Sequence, residues 1–213
     1  MPRNIAYIGF GSLGKQLSVL LRQTMKDELK EVFFDDIAVK ENLRNAHPFD
    51  AYTNEQFAGH DFFITIGYKQ FARKREITAQ LKKLDRNLPA YIHPSVIINP
   101  NAVIGQACIV YPGCNIDQHC VLQDGVFLNN SVTVSHNSVI GENSFLAPGV
   151  VVCGNVRIGA ECFIGAGSII SNNIELGREV IAGIGTVITG NIPSGSSVIG
   201  NPARILDKKI ELL

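Results

Sequence analysis

The sequence predicts two architectures in one chain. Residues 1–90 read as a small α/β domain, a βαβ unit like half of a dinucleotide fold; residues 91–194 read as a parallel β-helix, followed by a tail at 195–213. Three observations lead there. Glycine and charge content change near residue 90, apolar strand runs alternate with a helical pattern before it, and a six-residue period runs unbroken after it.

The change in composition is sharp. Residues 1–90 hold 14 of the 19 Lys and Arg and 11 of the 19 Asp and Glu but only five glycines, while residues 91–213 hold five, eight and fifteen. Leu88-Pro89 and His93-Pro94 mark the junction, because a residue before proline favours extended backbone. A net charge of zero removes any general attraction to nucleic acid. No apolar run reaches the roughly 18 residues needed to span a membrane. The opening MPRNIAYIGFGSLG lacks the charged-then-apolar order of a signal peptide and reads directly as fold, so the expected compartment is the cytoplasm.

In the first domain, Ile5–Ile8 is a short apolar run that ends in Gly9-Phe10-Gly11-Ser12-Leu13-Gly14, and a helical pattern continues through Leu17, Leu20 and Leu21. Val32-Phe33-Phe34 is a second strand, stopped by Asp35-Asp36; Phe62–Ile66 is a third, ending at Gly67; residues 70–85 form a basic amphipathic helix. These elements make a small parallel sheet.

The second domain is periodic. Every sixth residue from Ile98 to Ile188 is Ile, Leu or Val, with Ala182 the one exception among sixteen, and no insertion breaks the count. Four residues after each comes a small or β-branched residue, and glycine often follows the aliphatic one, as at Gly105, Gly141, Gly159, Gly165, Gly177 and Gly183. A helix cannot keep such positions on one face, since six steps of about 100° end roughly 120° away. A three-sided prism with one short strand per side can. Three hexads then make one 18-residue coil, and the repeat fills about five coils stacked at roughly 4.8 Å.

The five cysteines are explained by the same period. They are odd in number and form no CxxC pair, and Cys108, Cys114, Cys120 and Cys162 fall on the small-residue position, where cysteine acts as a small hydrophobe. Neither a disulfide framework nor a metal site is expected.

The hexads resemble those of the hexapeptide-repeat acyltransferases. Further markers are the Gly-rich turn, Asp35-Asp36, Ile64-Thr65-Ile66-Gly67, His93-Pro94-Ser95, Ser135-His136-Asn137-Ser138-Val139-Ile140-Gly141 and Gly200-Asn201-Pro202-Ala203-Arg204. With these, the chain is similar to the sialic-acid O-acetyltransferase-like and nucleotide-amino-sugar N-acetyltransferase branch. The resemblance implies a left-handed β-helix and a homotrimer with active sites between subunits. It also implies an N-terminal domain for the nucleotide sugar and acetyl-coenzyme A (acetyl-CoA) as acyl donor. N-acetylation of a nucleotide-linked amino sugar for bacterial surface glycan is the implied reaction.

His136 carries the chemistry in that reading. It lies two residues after the inward Val134, a phase that points it out of the core. Acyl transfer from a thioester needs a base for the proton of the attacking group, and imidazole suits the task. The alternative is an interface histidine without a catalytic role. Family members often follow this histidine with an acid; here Asn137 follows, able to orient the ring but carrying no charge. A second family histidine near the acetyl group is Phe145 here, which leaves room for a different or bulkier acyl chain. His119, 18 residues before Asn137, belongs one coil below it, where it either touches substrate or fills the subunit seam, the seam being the favoured reading. For the pantetheine arm of the donor, the matching positions are Gly154, Ala166, Gly183 and Gly185, where the absence of bulk permits close approach.

The N-terminal turn has the form GxGxxG. After a strand and before a helix, its backbone N–H groups suit a diphosphate. Taken alone it suggests NAD, with Asp35 or Asp36 on a ribose, but 90 residues leave no second mononucleotide half. Diphosphate contacts through Gly11, Ser12 and Leu13, with Asp35, Asp36 and Gly67 near base or ribose, fit a nucleotide sugar. The family has glycine and then His or Phe where Ser12 and Leu13 stand.

Other functions compete. Sugar O-acetylation or transfer of another acyl group keeps the fold and the base, and a catalytically silent nucleotide-sugar-binding protein keeps only the fold. A zinc carbonic anhydrase needs closely spaced histidines, whereas His93, His119 and His136 are 26 and 17 residues apart.

Overall fold

The computed structural model describes residues 2–211, and the chain divides into two compact units after Pro89.

The first unit is a four-stranded parallel sheet in the order β3-β2-β1-β4, formed by β1 (Arg3–Ile8), β2 (Leu29–Phe34), β3 (Ala46–His47) and β4 (Asp61–Ile64). Helix α1 (Ser12–Thr24) connects β1 to β2 and buries Gly14, Leu17, Ser18 and Leu21; α3 (Phe71–Lys83) follows β4. Between β2 and β3 lies α2 (Asp36–Lys40), a single turn capped by Asp35, whose side chain accepts from the Ile37 and Ala38 amides. Sequence patterning gave no sign of α2 or β3, because five- and two-residue elements are shorter than the periods that reveal them. One buried charge stands in the sheet. Glu31 accepts from Tyr7 Oη at 2.8 Å, Ser18 Oγ at 2.7 Å and Arg22 Nε at 2.7 Å, so its carboxylate is fully partnered. Burial, followed by the Glu31 charge, pushes the Tyr7 hydroxyl well above its ordinary pKa and keeps it a donor.

The second unit is the β-helix. Its two-residue strands stack with an 18-residue register into three faces, Val121 pairing with Val139, Phe127 with Phe145 and Thr133 with Val151. Face one runs from Val103 to Leu176, face two from Tyr91 to Ile199 and face three from Ile97 to Ile188. The predicted inward positions are buried from Val110 onward; Ile98, 39% exposed, lies at the open lower end where no coil covers it. The helix also continues past residue 194. Ser197 and Val198 pair with Ile181 and Ala182, and Arg204–Ile205 folds back antiparallel on Val198 and Ile199. The stack therefore holds about six coils rather than five, and much of the expected tail belongs to it.

The small-residue positions have a polar task that composition did not reveal. Cys108, Cys114, Cys120, Ser138, Ser144, Cys162 and Ser168 each donate to the carbonyl 15 residues ahead, at 2.8–3.1 Å. That carbonyl lies at a corner of the next coil, and the hydroxyl or thiol satisfies it inside the core. Burial raises the Cys114 and Cys120 thiols and pushes Cys162 up to about 11, so they stay protonated donors. At pH 8 a chromogenic disulfide reagent should label at most Cys153, the one half-buried cysteine, until denaturant is added. Two or more fast-reacting thiols per folded chain would contradict this packing.

Candidate active site

His136 stands on the edge where face three turns into face one, between the strands Thr133–Val134 and Val139–Ile140. Each coil needs one residue in the left-handed backbone region at this corner, and the ladder Asn101, His119, Asn137, Asn155 and Asn173 supplies it, with φ between 58° and 68°. Asparagine and histidine tolerate that region better than most residues. Consecutive corners are tied by Asn137 N–H to Gln118 O at 3.1 Å and Asn155 N–H to His136 O at 2.9 Å. Asn137 thus has a backbone reason for its identity, and His119 lies one coil below it as expected.

The imidazole is half-buried and held on two sides. The Asn137 side-chain amide lies 3.1 Å from Nδ1. On the other side the ring lies over Gly154, one coil above: a Cβ on Gly154 would sit 2.5 Å from His136 Cε1 and 2.6 Å from Nε2. The glycine expected to face the coenzyme therefore makes room for the histidine, and its amide donates to Asn172 Oδ1 at 2.9 Å.

The other expected donor-binding residues lie elsewhere in the coil. Ala166, Gly183 and Gly185 occupy the opposite edge of face three, where face two turns into it. Gly185 has φ +66° with nothing within 4 Å of its missing side chain, and its amide donates to Ala166 O at 2.8 Å. Gly183 is packed, its absent Cβ falling 2.7 Å from Ile199 Cγ2. Phe145 is on face two, buried and stacked between Phe127 at 4.7 Å and Phe163 at 5.7 Å. Within one chain Ala166, Gly183 and Gly185 lie across face three from His136 and Phe145 lies on face two, so they do not form a single pocket with it.

In the first unit the six expected positions converge. Strand order reverses direction of growth between β1 and β4, and the segments leaving β1, β2 and β4 carry Gly11–Leu13, Asp35–Asp36 and Gly67. Ligands of open α/β sheets bind in the crevice at such a switch point. The glycines of the fingerprint divide their work. Gly9 takes φ +84°, and Gly14 brings α1 against the turn, a Cβ there meeting Gly9 O at 2.7 Å. Gly11 and Gly67 have nothing within 4 Å and leave the backbone approachable. The aspartates are bound to the protein itself: Asp35 Oδ2 accepts from the Phe10 amide at 2.7 Å, shaping the turn, and Asp36 Oδ1 accepts from the Phe49 amide at 2.9 Å.

The position of Gly154 against His136 was within reach of the sequence. Residues 118, 136, 154 and 172 form one column at the 18-residue period, and only Gly154 among them lacks a side chain.

Comparison with known proteins agrees with this architecture. The family described as bacterial transferase hexapeptide (six repeats) matches residues 119–154 and 137–172. The acetyltransferase domain of PglB from Neisseria gonorrhoeae, solved with acetyl coenzyme A, is 32% identical with a TM-score of 0.86, covering 97% of this chain and 100% of that one. PerB from Caulobacter crescentus, solved with CoA and GDP-perosamine, is 22% identical with a TM-score of 0.86, over 95% of this chain and 97% of its own. WeeI from Acinetobacter baumannii is 22% identical with a TM-score of 0.72, over 97% of this chain and 100% of its own. No curated protein matches. Among the described residues no helix is long and apolar enough to cross a membrane.

Proposed function

The chain belongs to the hexapeptide-repeat acetyltransferases, which use acetyl-CoA, and from that premise we propose that it N-acetylates a nucleotide-linked amino sugar with His136 as general base. The observation that carries the proposal is the His136 imidazole on the helix edge, with Nδ1 against Asn137 and Nε2 turned to the other side. An amide can present either its oxygen or its NH₂ to a ring nitrogen. With Oδ1 toward Nδ1–H, the neutral ring keeps its lone pair on Nε2, and the same contact serves the imidazolium after proton uptake.

The sequence of events follows. The acceptor nitrogen, as a neutral amine, attacks the thioester carbonyl and Nε2 removes a proton from it. The tetrahedral oxyanion is stabilised by nearby N–H groups. Its collapse expels the coenzyme thiolate, which takes the proton to give the amide and free CoA. The switch-point crevice at Gly11, Ser12, Leu13 and Gly67 holds the nucleotide diphosphate, with the start of α1 favouring its charge. The gonococcal relative's acetyl-CoA supports the donor, and the fold shared with PerB supports a nucleotide-sugar acceptor.

A homotrimer completes the site in this proposal. Its support is the separation of His136 from Ala166 and Gly185 by the width of face three. The outward side chains on the upper three coils of that face are apolar and incompletely covered: Val151 and Val187 are half-buried and Ile169 is 42% exposed, whereas Asn115 and Thr133 stand at the same position lower down. Cyclic packing on this face brings one edge of each subunit to the other edge of its neighbour.

Thiol release from acetyl-CoA, measured with UDP-, dTDP- and GDP-linked amino sugars and with their hydroxyl analogues, tests the proposal. Turnover with one amino sugar and none with its hydroxyl analogue is expected. Turnover only with hydroxyl acceptors would replace N- by O-acetylation, and no turnover with any acceptor would leave a binding protein.

A further inference from the structure

We infer that Gly154 is a positioning residue for His136, selecting Nε2 as the reacting nitrogen and keeping it accessible; the inference rests on the reading of His136 as the base. The evidence is steric. The three atoms nearest to a Cβ built on Gly154 all belong to the His136 ring: Cε1 at 2.5 Å, Nε2 at 2.6 Å and Nδ1 at 3.2 Å. All are closer than ordinary van der Waals contact, and no backbone atom is among them.

The backbone does not itself demand glycine here. Gly154 is not among the positive-φ residues, so alanine fits its conformation. Gln118, His136 and Asn172 carry side chains at the equivalent corner of other coils. This differs from Gly141 and Gly159, where a Cβ would run into the main chain of the next coil. At 154 the nearest obstacles to a side chain are all atoms of one ring.

The consequence is chemical. With the Asn137 amide turned to present Oδ1 to Nδ1–H, as the proposed function requires, Nε2 is the nitrogen available for a proton. Nε2 lies over the bare Cα, so a methyl group there either occupies its approach or turns the ring, breaking the contact with Asn137. Either effect disables the base while leaving the imidazole chemically intact. A misplacement of about 1 Å at a reacting group can cost about 100-fold in rate.

The test is a double-mutant cycle of wild type, Gly154→Ala, His136→Ala and the double variant. It is read by kcat and KM with the preferred acceptor and by ¹⁵N–¹H spectra of the histidine side chains. Gly154→Ala is expected to lower kcat by about 10- to 100-fold with little change in KM for acetyl-CoA. In the His136→Ala background it should change kcat by less than about twofold. The His136 ring signals, identified by their loss in His136→Ala, should move from the Nδ1–H pattern in Gly154→Ala.

An equal loss in both backgrounds would assign Gly154 to the coenzyme directly and overturn the inference, as would an unchanged Gly154→Ala enzyme. A fully active His136→Ala enzyme would instead overturn the base reading beneath it. If Gly154→Ala does not fold, stability decides. A double variant that melts with His136→Ala supports the ring as the only obstacle, and one that also fails to fold refutes it.

Discussion

Replacing His136 with alanine should lower kcat at least about 100-fold, since a positioned general base contributes about 10²–10⁴-fold. KM for acetyl-CoA should change far less, because a general base acts on the acceptor's proton in the transition state rather than on the bound donor. The substitution should leave the fold intact. The ring is half-buried on an edge, and the corner is held by main-chain bonds, His136 O accepting from Asn155 N and Asn137 N donating to Gln118 O. Steady-state kinetics together with a thermal melt check this. A kcat within a few-fold of wild type would remove His136 from the chemistry, while the transferase assignment would stand on its relatives.

The largest stability effect is expected one turn further on. A Cβ on Gly141 would lie 2.4 Å from Gly159 C, 2.6 Å from Ala160 N and 2.6 Å from Gly159 O. Main chain cannot yield as a flexible side chain does. Gly141 is fixed by its own amide on Ile158 O at 2.8 Å, and the coils are held at the spacing of paired strands. Gly141→Ala should destabilise the protein by about 3–5 kcal/mol, in the range reserved for severe steric faults. Gly149→Ala is the comparison, with φ +69° and nothing within 4 Å, where only the left-handed backbone opposes alanine at about 1–2 kcal/mol. Urea unfolding of both variants measures the difference, and equal midpoints would refute the spacing argument.

Much of this was legible in the residues. The aliphatic hexads announced the three-sided helix because each inward side chain is set by its own coil. The glycines after them were visible too, but that the next coil presses on Gly141, Gly159 and Gly165 is seen only once the coils are stacked. Less was legible at the corners. Cysteine and serine looked alike as small residues, and only the stacked coils show them donating to a carbonyl 15 residues ahead. Asp35 and Asp36 had the spacing of ribose ligands, and nothing in the sequence signalled that Asp35 Oδ2 and Asp36 Oδ1 accept from the amides of Phe10 and Phe49. Glu31 gave no signal in sequence, because its partners Tyr7, Ser18 and Arg22 come from two other elements.

The sequence by itself determined the two-part architecture, the six-residue period, the turn at Gly9–Gly14 and the presence of a histidine on an outward edge. Periodicity and turn chemistry are local, written into consecutive residues. Only the tertiary structure showed that the His136 ring lies against Gly154, that Ala166, Gly183 and Gly185 lie across face three from that histidine, and that Phe145 is stacked on face two. Those are relations between coils, and residues 18 apart become neighbours only when the main chain has stacked.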